Sequence, residues 1–202
     1  MRREKGFTLI EIVVVLAIIA VIAAFLTPML FDYLKESKVS RGKADVRNIA
    51  AAVINFNRDT GVFPIYKSDI KQSEITVLVL QTDGNDAEVL GGKEGWSVTL
   101  GTDLGNLESP LYKGVMLDGS TTYSSKLGAG HIWKGPYMTD FKADPWGTRY
   151  YVVCDGMNPN SVKAAFVISA GPNAQIETNR SQDAAGTTAF SVGGDDIVYR
   201  IK

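Results

Sequence analysis

Glu11 is the side chain in this sequence with the most chemistry to explain. It is a lone carboxylate five residues after Gly6, directly before twenty uncharged residues, 12–31. Ionisable groups in membrane-length apolar segments are rare and costly, and they usually work with a named partner. The other candidates are few. Cys154 and His131 are the only residues of their kinds, so they build no zinc cluster, and a thiol–imidazole pair is the one nucleophilic dyad available. Cys154 sits in a strand-like run, residues 150–154, with no activating charge nearby in the sequence. It is read as a small buried hydrophobe. A single cysteine also excludes an intramolecular disulfide. Asp83, Asn85 and Asp86 offer oxygens to a cation, yet they lack the glycine and glutamate positions of an EF-hand loop and are read as a solvated turn. Catalysis is not supported.

The elements that position Glu11 are legible from hydropathy. Residues 12–31 approach the roughly 20 that a helix needs to cross a bilayer core, and only Thr27 and Pro28 interrupt them. Arg2, Arg3 and Lys5 stand before this run. The positive-inside rule holds them in the cytoplasm and sends everything C-terminal across the membrane. A secretory signal cut near Ala23 or Ala24 and an uncleaved anchor both fit that pattern. Neither accounts for Glu11. From Leu34 onward charges appear, while Val46, Ile49, Ala50 and Val53 recur at helical spacing and mark one apolar face. A helix stop is expected at residues 57–61, ahead of Pro64. Residues 7–59 would form about 80 Å of helix, too long for the membrane alone, so the second half must pack on a globular domain. Pro28 and Gly42 are its weak points, because proline removes a hydrogen bond and glycine costs about 1 kcal/mol against alanine.

Residues 61–202 have the size and composition of one domain. Without residues 1–6 the chain has 18 basic against 21 acidic side chains, which leaves nothing basic enough for a nucleic-acid surface. Turn residues punctuate this part at 59–61, 83–86, 91–92, 118–119 and 155–156. Short strands are expected at 75–80, 96–100, 149–154, 164–169 and 196–201, the first of which also suits a helical turn. The fold class is α+β, an antiparallel sheet laid on the amphipathic half of the helix.

Gly6-Phe7-Thr8-Leu9-Ile10-Glu11 behind a short basic leader resembles the type III signal of the type IV pilin and type II secretion pseudopilin superfamily. The resemblance implies a leader, 1–6, cut by a membrane prepilin peptidase between Gly6 and Phe7, with Phe7 then N-methylated. It also implies a polymerisation half-helix, 7–31, an amphipathic half-helix, 32–60, and a periplasmic domain, 61–202. Phe7, Glu11 and Pro28 would serve assembly, the proline region being where such helices melt and stretch in the filament. Gly135-Pro136-Tyr137, followed by Asp144-Pro145-Trp146-Gly147-Thr148-Arg149-Tyr150, looks like a signature of the major pseudopilin of type II secretion systems. Physically, Asp-Pro starts a turn, Trp146 anchors it and Gly147 permits positive φ.

The tail resembles that family's calcium loop through Ser169-Ala170-Gly171-Pro172-Asn173 and Gly193-Gly194-Asp195-Asp196-Ile197. Ser169, Asn173, Asp195 and Asp196 are the implied calcium residues. Asn173 replaces an aspartate, and the loop is lengthened by residues 175–188. Residues 65–134 exceed the family pattern and are expected to face outward. The resemblance implies a homopolymer assembled with minor pseudopilins by an inner-membrane platform and an ATPase, and acting mechanically in protein export. A surface pilus subunit is the alternative, although such pilins commonly close the C-terminal region with a cysteine pair. A membrane-tethered ligand-binding domain is a third reading.

Overall fold

The computed structural model describes residues 6–66, 79–89, 96, 104–119, 121–125, 127–128, 130–157, 161–180, 182 and 190–202. Arg2, Arg3 and Lys5, the expected strand residues 75–78 and 97–100, and the turn at 91–92 lie outside the described residues. The chain divides into two compact units, residues 1–38 and 39–202. One helix, α1 (Leu9–Thr60), runs from the first into the second.

In the first unit every described residue is exposed. That includes Leu16, Ile18, Ile22, Phe25 and Leu30, so this length of helix has no protein core to bury its apolar surface. It is long and apolar enough to cross a membrane. Pro28 sits within it without ending it. The Thr27 hydroxyl donates to the Ala23 carbonyl at 2.6 Å, a local bond next to the ladder position that the proline leaves open.

In the second unit α1 becomes one-sided. Gly42, Val46, Ile49, Ala50, Val53 and Phe56 are buried, at the i, i+3, i+4 spacing of a single helical face. The helix ends at Thr60, and Gly61 follows with φ of +71°. Both lie inside the expected stop.

Among the described residues a five-stranded sheet packs on that face, in the order β3 (Leu104–Asn106), β1 (Val79–Gln81), β4 (Tyr151–Val153), β5 (Phe166–Ser169) and β7 (Ile197–Arg200). Alternate residues point to opposite sides. Leu80, Val152, Val167 and Ile197 join Val46, Ile49, Val53 and Phe56 in one core. Val79, Tyr151, Val153, Phe166 and Ile168 form a second core with Trp96 and Ile176. Because β4 and β5 are buried on both faces, they read as continuous apolar runs, without the polar alternation of a half-exposed strand.

Two expectations are corrected. The sheet is mixed: β4, β5 and β7 pair antiparallel, as does β1 with β4, but β3 runs parallel to β1. Parallel neighbours need a long crossover, and the 22 residues between Gln81 and Leu104 supply it. Within that crossover β2 (Glu88–Val89) forms a separate parallel pair with β6 (Gln175–Ile176). The described part of residues 65–134 also does not all face outward. Ile65, Tyr66, Leu107, Leu111, Met116 and Tyr123 belong to the helix-facing core, and Trp96 to the other.

Candidate functional site: the N-terminal assembly motif and the tail loop

Gly6, Phe7 and Thr8 precede the first helical residue, Leu9. Phe7 is 85% exposed, and among the described residues a side chain placed on Gly6 would meet nothing within 4 Å. Thr8 occupies the N-cap. The Glu11 carboxylate accepts from the Thr8 amide at 2.9 Å and from the Thr8 hydroxyl at 2.8 Å, while the Glu11 amide donates to the Thr8 hydroxyl oxygen at 3.3 Å. This is a reciprocal capping box that satisfies N–H groups which the first turn cannot satisfy by itself. The Thr-x-x-Glu spacing carries that signal, but a reading fixed on the charge of Glu11 passes over it. Glu11 therefore has a local partner in the single chain, and its negative charge also lies in the first turn, where the helix dipole favours it.

The Asp-Pro-Trp-Gly segment is a knot between helix and sheet. Asp144 is buried, and its Oδ1 accepts from the amides of Trp146 at 3.0 Å and Thr148 at 2.8 Å. Its Oδ2 accepts from the Ser169 hydroxyl at 2.6 Å. Gly147 has φ of +93°, as the turn requires. Trp146 packs against Gly42, where an added Cβ would stand 2.9 Å from Ile197 and 3.4 Å from the indole. Gly42 is thus a close-approach point for the sheet and the tryptophan rather than a simple weakness. Tyr137 of the Gly-Pro-Tyr segment, whose Gly135–Pro136 bond is cis, donates its hydroxyl to Asp59 at 3.2 Å near the end of α1. Asp83, Asn85 and Asp86 form a turn pinned to the same knot: Asn85 exchanges backbone bonds with Gly147 and Arg149, and Asp86 pairs with Arg149 at 3.4 Å.

Cys154 is buried, and burial pushes its thiol far above the usual range. His131 is exposed beside Gly61. Neither has the exposed electropositive setting of an activated thiol. Sequence reasoning missed the buried pair of Asp155 and Arg180, 3.2 Å apart, because nothing in local spacing announces it.

Of the implied calcium residues, Ser169 is committed to Asp144. Asn173 Oδ1 accepts the Gln175 amide at 2.7 Å, Asp195 accepts the Asn173 amide at 3.2 Å, and Asp196 Oδ2 accepts the amides of Glu177 at 2.9 Å and Thr178 at 2.6 Å. Glu177, which the sequence pattern does not single out, accepts the Asp195 amide at 3.1 Å. Of these side chains, Asp196 Oδ1 is buried with no hydrogen-bond partner among the described residues. Among the described residues no group of three or more His, Cys, Asp or Glu side chains converges as a metal site. In the single chain these side chains close the loop on backbone amides and the Asp144 carboxylate, whereas calcium would take six to eight oxygens, backbone carbonyls among them.

Residues 1–27 match the family model described as the prokaryotic N-terminal methylation motif. The type II secretion system core protein G of Pseudomonas aeruginosa is 32% identical over 102 residues, covering 50% of this chain and 68% of that protein. Fimbrial protein EcpC of Eikenella corrodens is 39% identical over 61 residues, 30% of this chain and 40% of the relative. The type IV major fimbrial protein FimA of Dichelobacter nodosus is 51% identical over 39 residues, 19% of this chain and 24% of the relative. No solved structure matches the chain significantly. With its methylation motif, its long helix carrying a mixed sheet and its likeness to core protein G over two thirds of that protein, the chain belongs to the type IV pilin and type II secretion pseudopilin superfamily.

Proposed function

We propose that this protein is the structural subunit of a type II secretion pseudopilus. The likeness to core protein G across 68% of that protein's length carries this reading. The membrane-length helix stores the subunit in the inner membrane with residues 61–202 in the periplasm. A prepilin peptidase removes residues 1–6 and N-methylates Phe7, and an assembly platform driven by an ATPase adds subunits to a homopolymer that minor pseudopilins begin. The apolar surface of residues 9–38, exposed in the single chain, exchanges lipid for neighbouring helices. In that low-dielectric bundle Glu11 pairs with the cationic amine of Phe7 from a neighbour, a contact that sets axial register. The work is mechanical, and no residue is assigned a catalytic role.

Deleting the gene and restoring it tests this reading. Exported proteins should accumulate in the periplasm of the deletion strain and be secreted again when the full chain returns. Normal export with loss of surface adhesion or twitching would instead identify a pilus subunit, the reading that the fimbrial relatives favour. Mass spectrometry of the mature subunit should find an N-methylated Phe7 as its first residue. An intact Met1 would refute the processing step.

A further inference from the structure

Trp96 lies in the segment that exceeds the family pattern, yet it is completely buried. Its ring meets Tyr151 edge-on, with centroids 6.0 Å apart, and its indole N–H donates to the Thr178 carbonyl at 2.8 Å. The same stretch is gripped from the other side. The amides of Glu177 and Thr178 both donate to Asp196 Oδ2, and the Gly193 amide donates to the Thr178 hydroxyl oxygen at 3.0 Å. Glu177 then holds the Asp195 amide, and Asp195 holds that of Asn173. The two halves of the tail loop, residues 173–178 and 193–196, are held together by protein groups.

We propose that this clamp takes the place of calcium: Trp96, supplied by the inserted segment, positions the Glu177–Thr178 stretch so that the Asp195 and Asp196 carboxylates close the loop on backbone amides instead of a cation. The substitution of Asn173 for an acid belongs to the same arrangement. It puts an amide, whose nitrogen lies 3.5 Å from the Glu177 carboxylate, where an acid would face that like charge, and like charges without a cation repel. The inserted segment therefore has a structural task, independent of what the filament exports.

The test uses the purified full chain in detergent micelles, with thermal melts in excess calcium and in excess chelator and hydrogen exchange read at single amides. The wild-type melting temperature should be the same in both solutions. Trp96→Phe keeps an aromatic ring and loses the indole donor; it should melt several degrees lower and speed exchange at residues 177–178 and 193–196 while leaving the amides of α1 protected. Asp196→Ala should speed exchange at the Glu177 and Thr178 amides in the same way. If Trp96→Phe does not fold, the wild-type comparison and Asp196→Ala still decide. A wild-type melting temperature that rises in calcium and falls in chelator would overturn the proposal, as would unchanged exchange at 177–178 in Asp196→Ala.

Discussion

Asp144 accepts three hydrogen bonds through two oxygens, from the Trp146 and Thr148 amides and the Ser169 hydroxyl. Removing a buried acceptor costs more than its bonds were worth, because the donors are left without partners. Asp144→Ala should therefore destabilise the full chain in detergent by about 2–4 kcal/mol, measured by chemical denaturation. Asp155 makes a prediction of a different kind. Burial pushes its carboxyl above the ordinary value, against the opposing pull of Arg180 and Lys163. The folded protein then takes up this proton at higher pH than the unfolded chain does. The favourable contribution is fully present below the unfolded value of about 3.9 and is lost as pH rises through the folded one. Asp155→Asn cannot titrate at this position, so the stability deficit of the variant should be larger at pH 4 than at pH 7. A deficit that shrinks on acidification would show that the folded protein does not hold this proton more tightly than the unfolded chain.

At the scale of elements, what was legible depended on whether the signal is local. The helix could be read from Val46, Ile49, Ala50 and Val53, since its period is written along the chain. Strands β4, β5 and β7 fell within their expected ranges, because β-branched and aromatic runs bounded by turns suffice to place them. Pairing direction was not legible: which strand lies beside Val79–Gln81 depends on partners 25 residues onward for β3 and about 70 for β4. Trp96 was visible as a residue, but its task depends on Thr178, 82 positions away. Gly42 shows the same limit, since its value lies in what approaches it. A Cβ there would press on Ile197 and Trp146, so helix propensity, which favours every residue but proline over glycine, points the wrong way. Gly42→Val should cost about 1–3 kcal/mol by overpacking the interface between helix and sheet. Equal or greater stability on denaturation would show that this interface has room to spare.

For the whole molecule, the decisive fact is that residues 9–38 bury nothing in the single chain whereas the second unit has its own two-sided core. Apolar length governs membrane insertion, and the capping box orders the first turn without any neighbour. Neither requires a charge at residue 11, because glutamine also serves as the third helical residue of a capping box. Assembly does require it if Glu11 pairs with a neighbour's N-terminal amine. The Glu11→Gln variant therefore separates capping from ion pairing, and the yield of filaments sheared from overexpressing cells, counted by negative-stain electron microscopy, is the measurement that reaches the central claim. Wild-type cells should release filaments, while Glu11→Gln cells hold processed, membrane-inserted subunit and release few or none. Filaments from Glu11→Gln at the wild-type yield would contradict the account, because the carboxylate charge would then have no part in polymerisation.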